Sequence, residues 1–169
     1  DNPKVRQEVK DIIRFWLDMG VDGFREDVIT FISKEPGLPN GFPIPTACGI
    51  EHYTNGPNLK KYLKEFKEVY DEYDCFTVGE APMMTPDTAL KFIDESEGKK
   101  PVLNMMFNFQ HMEADCMITN FIVTKFNLKK LKKVMTTWQT KLYGKGWNAL
   151  YLENHDQPRI ISRFGSEEF

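Results

Sequence analysis

The feature that most constrains this chain is an alternation. Four apolar runs with strand composition, "VDGFRED", "CFTVGEA", "PVLNMMFNF" and "GWNALYLENHD", are each preceded by a segment of helical periodicity. From Asn2 to Gly20, Val5, Val9, Ile12, Ile13, Trp16 and Leu17 recur at helical spacing. Asn2 is placed to cap that helix, Pro3 sits in its first turn and Gly20 just past its end. In "NLKKYLKEFKEVYDEY", Leu59, Leu63, Phe66 and Tyr70 form one stripe. Thr85 and Pro86 open a third helix in "TPDTALKFIDESEG", and "NLKKLKKVMTTWQTKL" is a fourth. Strands joined through helices run parallel, because each crossover returns the chain to the same end of the sheet. The expectation is an α/β fold with four parallel strands, too few to close a barrel but enough for half of one.

After "VITFISK" comes "EPGLPNGFPIPTACGIEHYTNGP", which holds five of the ten prolines and has no sustained period. It reads as a loop, and its Phe42, Ile44, Ile50 and Tyr53 argue for an ordered, functional one. A net charge of −3 offers no field for nucleic acid or an anionic membrane. The lysines of "NLKKLKKV" read as the solvated face of a helix, and no apolar run has the length to span a bilayer. Cys48, Cys75 and Cys116 form no CxxC pair, so neither a disulfide framework nor a zinc site is signalled, and a reducing, cytoplasmic setting is expected. The chain opens without an initiator Met and stops at "GSEEF"; both ends read as cuts.

In parallel α/β folds, ligands sit at the carboxyl ends of the strands. Three of the four strands are followed there by an acid: Asp27, Glu80 and Asp156. Alternation along a strand projects Arg25 and Asp27 to one side and Glu26 to the other. A guanidinium beside Asp27 keeps it ionised, which suits a nucleophile. Glu80 has no cation adjacent in sequence, and partly apolar surroundings near a second carboxylate suit it to carry a proton as general acid. Two carboxyls with divided proton affinities are what glycoside hydrolysis requires, about 5–5.5 Å apart in the retaining version. Asp156 would hold sugar hydroxyls and the charge developing at the anomeric carbon, with His155 and Arg159 bonding the same ring.

Blander readings compete. A single acid at a strand end serves more often as a cap or turn residue, although three on three strands strain that account. Carboxylates on consecutive strands can also hold Mg²⁺, but "LNMMFNF" separates Glu80 from Asp156 and no lysine base stands near. No metal and no organic cofactor is called for. His52 and His111 lack a second ligand at metal spacing and read as satisfied loop histidines. Met83, Met84, Met105 and Met106 read as core filler, and Trp16, Trp138 and Trp147 as core residues. Phe42 and Tyr53 are the candidates for stacking on a sugar.

The stretches "GVDGFREDVI", "FTVGEAP" and "LENHDQPR" resemble three signature regions of the α-amylase family, glycoside hydrolase family 13. They are most similar to its oligo-1,6-glucosidase and α-glucosidase branch. The similarity runs through all 169 residues, including "GIEHYTNGP", "FNFQHM" and "GWNALYLENHDQPRIISRFG". It implies a (β/α)₈ barrel, with residues 1–169 a fragment of that single catalytic domain covering about strands four to seven and their helices.

The resemblance also implies roles. Asp27 would be the nucleophile forming a covalent glucosyl intermediate, Glu80 the acid/base, and Asp156 the transition-state stabiliser. Arg25 would orient Asp27, while His155 and Arg159 would contact the glucose. Val28, after the nucleophile, resembles the α-1,6-preferring members and would narrow the aglycone side against α-1,4 chains. The implied reaction is retaining hydrolysis of terminal α-glucosidic bonds in short gluco-oligosaccharides. The implied partners are that oligosaccharide and the remainder of the barrel, without which the piece would be inactive.

Trehalose-6-phosphate hydrolases, dextran glucosidases, and transglucosylases or sucrose isomerases share the pattern. A non-catalytic barrel serving as a binding scaffold is the alternative from another class, and retention of all three acids speaks against it. Two departures stand out. Glu26 occupies a position where many members carry an apolar residue. The first signature region, with its Asp and His, has no counterpart here, nor have the ligands of the calcium or magnesium ion that some members bind.

Overall fold

The first helix, α1 (Pro3–Asp18), begins where its sequence dictates. Asn2 is extended, its side chain accepts the Lys4 N–H at 2.9 Å, and Pro3 fills the first turn, where a missing N–H costs nothing. Gly20 follows the helix at φ +92°, a left-handed conformation that glycine adopts without a Cβ penalty. The computed structural model describes residues 2–45, 47–117 and 119–166. Its strands are β1 (Gly23–Glu26), β2 (Phe76–Glu80), β3 (Met105–Phe107), β4 (Cys116–Met117), β5 (Thr119–Val123) and β6 (Trp147–Ala149). The further helices are α2 (Leu59–Tyr70), α3 (Pro86–Ile93), α4 (Leu128–Leu142) and α5 (Ile160–Phe164).

Strands β1, β2, β3 and β6 form one parallel sheet in that order, with a helix between each successive pair. This is the expected α/β arrangement of four parallel strands, in the sequential order of a partial barrel. Two features differ from the sequence reading. An antiparallel pair, β4 with β5, stands between β3 and α4. The last strand is also shorter than "GWNALYLENHD", since its pairing ends at Ala149. Its one neighbour among the described residues, β3, is three residues long and pairs with Trp147, Asn148 and Ala149. Beyond it, the Asn154 side chain accepts the Asp156 N–H at 2.9 Å and turns the backbone away from an extended path.

Register divides the sheet into two faces. Glu26, Gly79, Met106 and Asn148 are level across the four strands and face the helices. There Met106 joins a core with Leu59, Leu63, Ile93, Leu103 and Trp138. A Cβ on Gly79 would lie 2.9 Å from both Ile29 Cγ2 and Leu103 Cδ1, so the bare backbone lets this layer close. A second cluster, Ile13, Leu17, Val69 and Tyr70, joins α1 to α2.

The opposite face carries Phe76 and Trp147, both exposed. Trp138 is therefore a core residue as expected, whereas Trp147 and Trp16 are not. Helix α1 is apolar on two sides: Val9, Ile13 and Leu17 pack toward α2, while Val5, Ile12, Phe15, Trp16 and Met19 lie exposed. Met84 and Met106 fill the core, but Met83 is exposed on the turn after β2 and Met105 is half-buried on the open face. Lys129, Lys132 and Lys133 are exposed on α4 as read.

The proline-rich loop is ordered, though Thr46 within it lies outside the described residues. Glu51 Oε1 accepts the Phe42 N–H at 2.6 Å, and Asn55 N–H donates to the Thr30 carbonyl at 3.0 Å. His52 Nδ1 lies 2.6 Å from Glu35 Oε2, a bond that raises the imidazole pKa and leaves it a satisfied loop histidine. No helix among the described residues is long and apolar enough to cross a membrane.

Leu63 is fully buried between α2 and the sheet. Leu63→Ala should cost about 2–5 kcal/mol of stability, read as a lower denaturation midpoint; an unchanged midpoint would contradict this core assignment.

Candidate active site

Glu26 is level with Gly79 in the β1–β2 ladder, so the next residues, Asp27 and Glu80, leave the sheet at the same height at its carboxyl end. Arg25 stands one pleat below on the same face. Its Nη1 donates to Asp27 Oδ1, and its Nη2 lies 2.8 Å from Glu80 Oε1. One guanidinium therefore bridges both carboxylates. The Arg25 hydrogen bond holds the Asp27 carboxyl below its ordinary pKa; partial desolvation opposes it, and the Arg25 charge, contact with Glu80 and the His155 charge assist. The sequence reading assigned Arg25 a single partner and left Glu80 without a cation. The register supplies the second pairing.

The turn after β1 adds a contact that no residue type announces. Val28 is left-handed, at φ +37° and ψ +42°, a rare conformation for a β-branched residue and a strained one. That turn directs its backbone N–H to Glu80 Oε2 at 3.0 Å. The two oxygens of buried Glu80 thus have different donors, a guanidinium and a main-chain amide.

The segment after β6 closes the site from the far side. Tyr151, Glu153, Asn154 and His155 join Arg25, Glu80, Phe107 and Phe109 in lining a cleft of about 130 Å³. Tyr151 meets Phe107 and Phe109 edge-on, with ring centroids 5.4 and 5.9 Å apart, and burial together with the Glu80 charge pushes its phenol up. These three rings are the aromatic wall. Phe42 and Tyr53, the expected sugar-stacking residues, are not part of it: the loop folds back so that Tyr53 packs on Phe31 at 5.0 Å, and Phe42 is exposed.

Asp156 stands beside the cleft rather than in its wall. Its Oδ2 lies 3.2 Å from His155 Nε2, and its side chain is 61% exposed. Arg159 does not line the cleft either. Its Nη1 donates to Glu153 Oε1 at 2.5 Å, and Glu153 Oε2 accepts the Ile160 N–H at 2.7 Å at the start of α5. The Ile160 bond and then the Arg159 bond hold the Glu153 carboxyl below its ordinary value. His111 is buried beneath Tyr151, ring centroids 4.6 Å apart, with Nδ1 3.4 Å from Asn108 Oδ1; burial lowers its pKa. Among the described residues, no three His, Cys, Asp or Glu side chains gather in a way that could hold a metal ion.

The sequence pattern of the alpha amylase catalytic domain matches residues 1–169. The oligo-1,6-glucosidase of Parageobacillus thermoglucosidasius is 49% identical over 172 residues, which cover 99% of this chain and 30% of that protein. The crystal structure of Bacillus licheniformis trehalose-6-phosphate hydrolase matches with a TM-score of 0.84 at 38% identity, over 99% of this chain and 30% of that one. Isomaltulose synthase from Klebsiella sp. LX3 matches with a TM-score of 0.86 at 35% identity, over 98% and 30%. The chain thus spans about 30% of the length of these relatives.

Glu26, next to Asp27, points away from it as alternation requires. It is buried, and its Oε1 accepts the Tyr70 hydroxyl at 2.5 Å. Desolvation raises its pKa from the ordinary 4.5 to about 7, against the Tyr70 bond, which favours ionisation. A carboxyl raised on folding lends stability that is complete below its unfolded value and is lost as pH climbs through its folded one. The loss therefore falls between about pH 4.5 and 7, on the order of 3 kcal/mol. Glu26→Gln should melt higher than the parent protein at pH 8 and lose that advantage at pH 4. A melting-temperature difference independent of pH would show that Glu26 is not buried as an acid.

Proposed function

The chain belongs to the α-amylase catalytic-domain family, and from that premise we propose that it carries the three catalytic acids of a retaining α-glucosidase. Residues 1–169 are then part of one (β/α)₈ catalytic domain, about strands four to seven. The observation that carries this reading is the Arg25 guanidinium held between Asp27 and Glu80 on neighbouring strand ends, above a cleft that His155 also lines.

In the first step Asp27, kept ionised by Arg25, attacks the anomeric carbon as the glycosidic C–O bond breaks. Glu80 gives its proton to the departing oxygen. In the second step water attacks the same carbon, Glu80 takes the water's proton, and the bond to Asp27 breaks. Asp156 stabilises the positive charge that develops at the ring in both steps. His155, in the cleft wall, hydrogen-bonds the sugar; Arg159 reaches it only by leaving Glu153. No cofactor enters this chemistry.

A short gluco-oligosaccharide with a terminal α-1,6 bond is the substrate we favour. Val28, which follows Asp27 and whose N–H is bonded to the cleft residue Glu80, and the 49% identity to an oligo-1,6-glucosidase support this choice. Trehalose-6-phosphate hydrolysis and sucrose isomerisation would use the same acids and differ in the group that leaves or accepts. The cysteine pattern favours the cytoplasm. The remainder of the barrel is the partner that would cover Phe76, Trp147 and the outer stripe of α1. These 169 residues alone should be inactive and prone to aggregate.

The test is turnover of isomaltose, maltose and trehalose-6-phosphate by the full-length protein, with Asp27→Asn as comparison. We expect isomaltose to be fastest and Asp27→Asn to abolish all three. Because Arg25 lowers the Asp27 pKa, the nucleophile should lose its charge only below the ordinary carboxylate range. Undiminished turnover by Asp27→Asn would overturn the mechanism, and a parent enzyme that prefers trehalose-6-phosphate would overturn the substrate.

A further inference from the structure

The segment bearing His155 and Asp156 is exposed, and most of its polar bonds are internal. Asn154 accepts the Asp156 and Gln157 N–H groups, and Glu153 accepts the Arg159 guanidinium and the Ile160 N–H. Such bonds shape a loop without saying where it sits on the molecule. Among the described residues Phe164 on α5 stacks on Phe126 at 4.6 Å, and two contacts anchor the segment on either side of Asp156. One is Tyr151, wedged against Phe107, Phe109 and His111.

The other is Arg163 on α5. Its Nε and Nη2 donate to Asp115 Oδ2 and Oδ1 at 2.7 and 2.6 Å, and Nη2 also donates to the Met112 carbonyl at 2.6 Å. The remaining nitrogen, Nη1, donates to Gln157 Oε1 at 2.6 Å, one residue from Asp156. The Arg163 and Asp115 side chains are 9% and 8% exposed. A two-pronged, buried pair of this kind fixes direction as well as distance.

We propose that Arg163, seated on Asp115 and the Met112 carbonyl, is a positioning residue that sets the place of Asp156 through Gln157. It belongs to none of the surfaces that would touch a sugar; it acts on turnover by holding the loop. This inference rests on the stabilising role proposed for Asp156. The turn Met112–Asp115, between β3 and the β4–β5 pair, becomes the platform on which the distant strand-end loop is mounted.

Removing Arg163 outright would strand the buried Asp115 charge and threaten folding, so the deciding variant is Gln157→Leu. It cuts the link to the loop and leaves the Arg163–Asp115 pair intact. In the full-length protein, assayed with an activated aryl α-glucoside, Gln157→Leu should lower kcat by roughly 10–100-fold, with little change in KM or melting temperature. Arg163→Lys, which cannot serve Asp115, Met112 and Gln157 together, should lower kcat in the same way. In an Asp156→Asn background, Gln157→Leu should cost nothing further, because the group it positions is gone. Equal losses in both backgrounds, or undiminished kcat in Gln157→Leu, would overturn the positioning role while leaving the catalytic reading intact. Full activity of Asp156→Asn itself would overturn the role of Asp156 and this inference with it.

Discussion

The site depends on one alignment: β1 and β2 are paired so that Asp27 and Glu80 emerge at the same level, with Arg25 beneath them on the shared face. Strands lie about 4.8 Å apart in the hydrogen-bonding direction, so level residues on neighbours bring their side chains within reach of a single guanidinium. A slip of one residue would turn either acid into the helix layer, where Glu26 sits and desolvation drives its carboxyl toward the neutral form. The helix-side core enforces the alignment. Gly79 admits Ile29 and Leu103 at close approach, and Met106 fills the adjacent position. The packing of one face thus decides the electrostatics of the other.

Much of this was legible in the residues. Asn2, Thr85 and Asn127 each accept a main-chain N–H of their own helix, bonds that follow from residue type and local spacing alone. The alternation of helices and apolar runs was enough for a parallel sheet. Acids after three strands pointed to one end of it. What could not be read was long-range register. A hairpin sets register through its turn, whereas a parallel crossover leaves it to the packing of a helix, so nothing near Arg25 in sequence announces Glu80. The early end of β6 escaped for a related reason: "ALYLEN" has strand composition, but β3 is too short to pair with it. Arg163 and Asp115, 48 residues apart, carried no local signal either.

The two faces of the sheet are in different states. Toward the helices, Leu63, Ile93, Met106 and Trp138 are closed off from water. On the other side Phe76 and Trp147 are open, as is the outer stripe of α1. Exposed apolar area of this kind marks a surface made to be covered, and the remainder of the proposed barrel supplies the cover. Asp27 and Glu80 project to that open face from strand ends braced by the packed layer behind them, while Asp156 stands on the exposed segment between β6 and α5.

The left-handed turn at Val28 has a consequence for how such a site can diversify. Glu80 is held there by a main-chain amide, and every residue except proline supplies the same amide. The side chain at this position can therefore vary in size and polarity while the bond to Glu80 persists. Under the proposed mechanism, a substitution at Val28 that altered linkage preference would leave the hold on Glu80 untouched.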